Sequence, residues 1–228
     1  MPKRPNDYRL FWQEFRRTFE STGAVLPSGP RLCAALASQC AALASQVPSE
    51  GKPRRLLEVG PGTGVVTARI VDHMAPEDTL DIVELNERFV ECLQKRIDHE
   101  ECFAAVRDRV SIHLMPIQEY TAEQPFNAII SGLPLNNFPV SLVSEILDHF
   151  ERLAAENATI SFFEYVGVRK AKSLFAKQPE RIRLAGIERS IGDICTRLRF
   201  DRKCVLANVP PAWVHHLRTP ALSVAQTS

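Results

Sequence analysis

The residues best placed to do chemistry lie in Leu56 to Ile70, LLEVGPGTGVVTARI. A short apolar run carrying Glu58 leads into Gly60, Gly62 and Gly64, and a helical pattern follows. Glycines allow a tight turn and close approach of a ligand to the backbone, and free amides at a helix start favour anionic groups. The turn is therefore expected to bind something anionic or zwitterionic. Twenty residues after Gly64 stands Glu84, at the end of the next strand pattern. A carboxylate there can accept both hydrogen bonds of a ribose diol, which fits NAD or S-adenosylmethionine. Two details select the second. The spacing is G-x-G-x-G rather than G-x-G-x-x-G, and Glu58 lies two positions before the first glycine, able to hold an ammonium indirectly or through water. The amino-acid tail of the methyl donor has an ammonium and NAD has none.

These residues need a scaffold, and the pattern supplies one. LLEVG, TLDIVEL, RVSIHLM, FNAIISGLPL and NATISFFEYV read as buried strands. Between them, GTGVVTARIVDHM, NERFVECLQKRIDH and VSLVSEILDHFERLA read as helices, and VRKAKSLFAKQ as another after the fifth strand. RIRLAGIERSIGDIC and RLRFDRKCVLANV read as further strand material. Strands alternating with helices, then strands gathering at the end, predict a doubly wound, mostly parallel α/β sheet with an antiparallel edge. No linker divides the chain, so residues 1–228 are expected to form a single domain. Within it, 25–48 is a second helical N-terminal segment, its alanine-rich helix running from Gly29 to Val47 and stopped by Pro48.

The front of the chain is unusual. Tyr8, Phe11, Trp12, Phe15 and Phe19 recur at intervals that share one helical face, opposite Arg9, Gln13, Arg16 and Arg17. An ordinary core helix takes Leu, Ala, Val and Ile for that duty. The alternative is an interfacial helix across residues 1–20, with aromatic rings at lipid headgroup level and arginines over phosphates, and the choice between the two rests on what the body of the chain does.

Composition narrows the class. With 228 residues, 45% hydrophobic and 24% charged, the chain can bury a sizeable core. No secretory signal is visible, and no segment approaches the roughly 18 uninterrupted apolar residues of a membrane span. The six cysteines, 33, 40, 92, 102, 195 and 204, form no C-x-x-C pair and have no matched histidine spacing. They read as reduced cytosolic thiols, with no metal site expected. The net charge of +1 hides an asymmetry: Arg54 to Gly167 holds 9 basic and 19 acidic residues, and Val168 onward 12 basic and 4 acidic. A basic C-terminal third suits a surface that meets anions, lipid phosphates or nucleic acid.

E-x-G-x-G-x-G followed by an acidic end of strand two resembles the class I S-adenosylmethionine-dependent methyltransferases over about Arg54 to Val166. The resemblance implies a Rossmann-like, seven-stranded sheet. It places Glu58, Gly60, Gly62 and Gly64 around the methionine portion of the cofactor, Glu84 on the ribose and Asn86 beside it. Such enzymes usually carry an acidic residue after strand three to touch the adenine amino group; here the segment is MPIQEY, with Pro116 at that place. Ile117 is the expected adenine contact, with Glu119 as an alternative.

SGLPLNNFP, Ser131 to Pro139, bears on the methyl acceptor. Enzymes that methylate base amines, the rRNA adenine dimethyltransferases among them, resemble it with N-L-P-Y, whose aromatic residue stacks on an extruded base. Leu135 stands there and cannot stack so. The fuller order VLPSGPRLCAAL, glycine turn, SGLPLNNFP, FFEYVG, NVPPAWVHHL resembles the bacterial phospholipid N-methyltransferases. That resemblance implies successive methylation of phosphatidylethanolamine towards phosphatidylcholine by a cytoplasmic protein bound to the anionic inner face of the membrane, with no nucleic-acid partner. The competing readings are an ornithine lipid N-methyltransferase, an rRNA adenine N6-dimethyltransferase, and a membrane-associated protein that binds the cofactor without turnover.

Methyl transfer is an in-line displacement needing a free amine lone pair, and desolvation lowers an ammonium pKa without a dedicated base. Ser131 and Asn136 can orient the amine by hydrogen bonds, and Ser131 is also an expected cofactor contact. Tyr165 can relay a proton or offer a ring face to a methylated cation. His215 or His216 can take a proton or contact phosphate. Arg169, Lys170, Lys172, Arg197 and Arg199 are the candidates for lipid phosphate.

Overall fold

Twelve helices and strands build the described part of the chain. They are α1 (Pro30–Ala44), β1 (Arg55–Val59), α2 (Val65–Val71), β2 (Thr79–Glu84), α3 (Glu87–His99), β3 (Val110–Leu114), β4 (Phe126–Ser131), α4 (Val140–Leu153), β5 (Ala154–Tyr165), α5 (Gln178–Leu198), β6 (Arg199–Val205) and β7 (Ala212–Arg218). The computed structural model describes residues 29–44, 53–166, 178–208 and 210–221. The aromatic stretch Tyr8 to Glu20 and the basic residues Arg169, Lys170 and Lys172 lie outside them.

The seven strands form one sheet in the order β3-β2-β1-β4-β5-β7-β6. The first five are parallel, and β7 runs antiparallel between β5 and β6. This is the doubly wound sheet with an antiparallel edge that the strand and helix alternation predicts. The order in which strands are added reverses between β1 and β4, so the C-terminal ends of those parallel strands open a crevice where such sheets bind ligands.

The inner strands β1, β2, β4, β5 and β7 bury both faces, as strands covered by helices must, while the edge strands β3 and β6 are largely open. On one side Leu57, Val59, Ile129, Ile160 and Phe162 share a cluster with Phe150 of α4 and Ile187 and Ile191 of α5. On the other, Leu56, Ile82, Ile130, Phe163 and Val214 share one with Leu36 of α1, Ile70 of α2 and Leu93 of α3. The start of α1 is tied to the β6–β7 loop, where Asn208 Oδ1 accepts from the Gly29 amide at 3.1 Å.

One segment differs from the sequence reading. Arg181 to Cys195 reads as strand from the sequence, and Arg181-Ile182-Arg183-Leu184 does alternate with period two. It lies inside the 21-residue helix α5. Ile182 is 66% exposed, and the buried residues are Leu184, Ile187, Ile191, Ile194 and Cys195, spaced by three and four. The longer helical period outweighs the short alternation, because only the longer one reaches the core.

Candidate functional site

Backbone conformation at the glycine turn explains its composition. Gly60, Gly62 and Gly64 have φ of +70°, +55° and +78°, where side chains are disfavoured. At Gly60 a Cβ would lie 2.7 Å from Leu133 Cδ2, and at Gly64 2.5 Å from Leu93 Cδ1. At Gly62 it would meet nothing within 4 Å. Gly60 and Gly64 are thus glycine for packing as well as backbone, while Gly62 borders open space. Helix α2 has only seven residues, and the amide directed at a site carboxylate belongs to the turn: Gly62 N–H donates to Glu84 Oε2 at 3.4 Å.

Glu84 ends β2 and is 8% exposed. Its Oε1 accepts from the Leu85 and Asn86 amides, both at 2.8 Å. These bonds fix the carboxylate across from Gly62. Asn86 is the N-cap of α3, its Oδ1 accepting from the Arg88 amide at 3.0 Å, so its side chain serves the helix start.

Glu58 sits on the α1 and α2 side of β1 and is 1% exposed. Burial pushes its pKa up to about 8; the nearby Glu84 charge adds to this and the Thr67 hydroxyl opposes it. Neither Glu58 Oε2 nor Thr67 Oγ1 has an aligned hydrogen-bond partner. A neutral carboxyl under the turn is the result, and a cation arriving above it would favour its ionisation.

Ile117 opens the short turn Ile117–Glu119 that follows β3. Its side chain is 3% exposed and belongs to the core cluster that holds Val83 and Leu135, and its carbonyl accepts from the Tyr120 amide at 3.1 Å, so a ligand edge would meet it at the backbone N–H. Glu119 is exposed. The sequence reading passed over Gln118 between them. Its Oε1 is buried without a partner, and a carboxamide oxygen can accept from an amino group as a carboxylate does. The signal was present as a polar residue two places after Pro116.

The exit of β4 closes against the turn. Gly132 N–H donates to Val59 O at 2.8 Å, and a Cβ at Gly132 would lie 2.4 Å from Gly60 O. Ser131 is fully buried, and its Oγ accepts from the Leu133 amide at 3.3 Å. Asn136 is 7% exposed, and its Oδ1 is buried without a partner. Leu135, at the position where base methyltransferases carry an aromatic ring, is 1% exposed and packs in the core beneath.

The remaining candidates are not brought together. Half-buried Tyr165 ends β5 on the α1 side, edge-on to Phe163 at 5.2 Å, and burial raises its phenol pKa. His215 faces the opposite side, stacked on Phe162 at 5.2 Å. It is 3% exposed, with Nδ1 3.6 Å from Cys195 Sγ and Nε2 3.3 Å from Glu164 Oε1. It pairs with Phe162, three residues and about 10 Å short of the end of β5, so a substrate at the strand ends does not reach it. His216 is fully buried with Nδ1 2.8 Å from Ser161 Oγ, and burial lowers its pKa to about 4, the Lys203 charge adding to this. Nε2 of His215 and Nε2 of His216 are buried without an aligned hydrogen-bond partner. Arg197 pairs with Glu151 on the surface, and Arg199 is exposed.

Arg96 was invisible to sequence reasoning because an i, i+4 Arg–Glu pair looks like a solvated helix face. It donates to Thr63 O inside the glycine turn at 2.6 Å and is held by both oxygens of Glu100 at 2.6 and 2.8 Å. Among the described residues no group of His, Cys, Asp and Glu could hold a metal ion, and no helix is long and apolar enough to cross a membrane.

No protein-family model matches the chain. Over 155 residues, 68% of this chain and 76% of the relative, it is 25% identical to an ornithine lipid N-methyltransferase from Singulisphaera acidiphila. In structure it is similar to the N-methyltransferase NodS from Bradyrhizobium japonicum WM9, with 16% identity, TM-score 0.55, and coverage of 81% of this chain and 94% of that one. It is similar also to an O-methyltransferase from Bacillus cereus in complex with SAH, with 15% identity, TM-score 0.59, and coverage of 96% and 93%. The fold is the Rossmann-like fold of class I methyltransferases.

Proposed function

We propose that this protein transfers methyl groups from S-adenosylmethionine to the amine of a lipid headgroup, phosphatidylethanolamine, in successive steps towards phosphatidylcholine. The observation that carries the cofactor assignment is the left-handed glycine turn whose Gly62 amide faces the fixed Glu84 carboxylate beside open space. The residues present fit the group. Glu84 Oε2 is placed for a ribose hydroxyl, the Ile117 backbone and Gln118 Oε1 for an adenine edge, and Glu58 lies beneath the turn to balance an ammonium. The cofactor, when bound, supplies an electrophilic methyl on a sulfonium, and this chain supplies alignment and exclusion of water.

Support for a lipid amine comes from the order of motifs and from the name of the curated relative. Leu135 supports it from the other side, since its burial leaves no aromatic platform for an extruded base. Both C-terminal histidines are buried within the sheet, and the amine reaches its neutral form by desolvation. The protein works at the inner, anionic face of the cytoplasmic membrane, reached through the aromatic and arginine-rich segment of residues 1–20.

The relative favours a second reading, in which ornithine lipid is the acceptor. Labelled methyl transfer to anionic liposomes containing either lipid, and to undermethylated rRNA, separates the cases. Label in mono-, di- and trimethyl phosphatidylethanolamine is expected. Label in ornithine lipid alone would change the substrate, label in rRNA would overturn the lipid reading, and cofactor binding without turnover on any acceptor would overturn catalysis.

A further inference from the structure

We infer that Asn136 Oδ1 receives an N–H of the acceptor amine, and that Arg183 positions it from α5 through the Asn136 main chain. The inference rests on the amine-methylation reading above. A buried polar oxygen without a partner costs stability, so Asn136 Oδ1, unpartnered in a residue only 7% exposed, marks a place where a ligand donor is expected. It lies four residues beyond Gly132, whose backbone is pressed against Gly60 O, and so at the end of the sheet that holds the glycine turn. Ser131 does not compete for the role, because it is fully buried and its hydroxyl already takes the Leu133 amide.

The turn Leu135–Asn137 has no side-chain cap of its own. Arg183 reaches it from α5, Nη1 donating to Asn136 O at 3.1 Å and to Phe138 O at 2.7 Å. Glu180 holds the other edge of the guanidinium, accepting from Nε at 2.8 Å and Nη2 at 2.7 Å. A planar fork engaged at both edges has little freedom left. The helix itself is closely docked: a Cβ at Gly186, three residues on, would lie 2.7 Å from Val140 Cγ2 of α4. Asn136 is thereby set by α5, although it stands on the β4 loop.

A carboxamide oxygen suits this task because it accepts an N–H and leaves the nitrogen lone pair free. The lone pair forms the new N–CH3 bond as the S–CH3 bond breaks, leaving a neutral sulfide and a cationic nitrogen, which gives a proton to water before the next transfer. A neutral primary amine has two N–H bonds, its monomethyl derivative one, and its dimethyl derivative none. Asn136 therefore assists the first two transfers and not the third.

The test uses the full chain and vesicles holding phosphatidylethanolamine or its mono- or dimethyl derivative. Where the wild type methylates ornithine lipid instead, the corresponding derivatives of that lipid are used. Asn136→Leu should lower kcat/KM about 10- to 100-fold on the first two acceptors and change the third, and the cofactor Kd, by less than about threefold. Arg183→Met, which leaves Asn136 in place, should show the same selectivity with a smaller loss, and the double variant should be no worse than Asn136→Leu alone. Equal losses on all three acceptors, additive losses in the double variant, or unchanged rates would overturn the inference while leaving the lipid reading intact. A wild type that methylates none of these lipids would remove the lipid reading, and this inference with it.

Discussion

Replacing Glu58 by Gln should flatten the pH dependence of stability. The Glu58 carboxyl has a pKa of about 8 in the folded protein against an ordinary 4.5, chiefly because burial disfavours its charge. Between those values the unfolded chain carries a carboxylate and the folded one keeps the proton. The stability tied to this group is therefore fully present below pH 4.5 and is lost as pH rises through 8. One proton taken up on folding changes stability by about 1.4 kcal/mol per pH unit, so the wild type should lose about 2–3 kcal/mol through Glu58 between pH 5 and 7. His216 acts in the opposite sense. Its folded pKa of about 4 lies below the usual 6.5, so its contribution is present above 6.5 and lost as pH falls through 4. That term is common to both proteins and cancels in their difference. Urea unfolding of ligand-free wild type and Glu58→Gln at pH 5, 6 and 7 measures it. The variant should gain about 2–3 kcal/mol on the wild type across that range. A difference constant with pH, or one that moves the other way, would refute the placement of a neutral carboxyl beneath the turn.

Other expectations are sharp enough to check together. Gly62→Ala meets no atom within 4 Å and should cost only the left-handed backbone penalty, about 1 kcal/mol, whereas Gly132→Ala would push against Gly60 O and should destabilise by several times more in the same urea assay. Glu84→Ala should weaken S-adenosylmethionine binding about 10- to 100-fold by calorimetry, and an unchanged Kd would remove Glu84 from the site. Phe162→Ala empties a fully buried position beside His215 and should cost about 3–5 kcal/mol of stability. Deleting residues 1–20 should abolish liposome binding in a flotation assay, and retained binding with retained activity on bilayers would refute the interfacial role proposed for that segment.

The sequence by itself determined the features set by local chemistry. Three alternate glycines after an apolar run could only be a turn of unusual backbone, and their φ values of +70°, +55° and +78° show why. The period of apolar residues placed β1 to β5 and the helices between them, because buried parallel strands and amphipathic helices leave different spacings. It failed at Arg181 to Cys195, where two cycles of alternation masked a helix whose buried positions repeat over a longer span. What only the tertiary structure decided were the relations between distant residues. Gly132 is glycine because β4 ends against Gly60 O, 72 residues earlier in the chain. Tyr165 and His215, both plausible beside an amine, fall on opposite faces of the sheet, because antiparallel pairing sets His215 opposite Phe162, an odd number of residues from Tyr165. Arg183 reaches the β4 loop, and Asn136 is left with a buried, unpartnered oxygen, through packing of α5 on α4. Residue type and spacing announce a turn or a strand, but burial and partnership belong to pairs of segments, and only the assembled sheet with its covering helices fixes which polar atoms remain for a substrate.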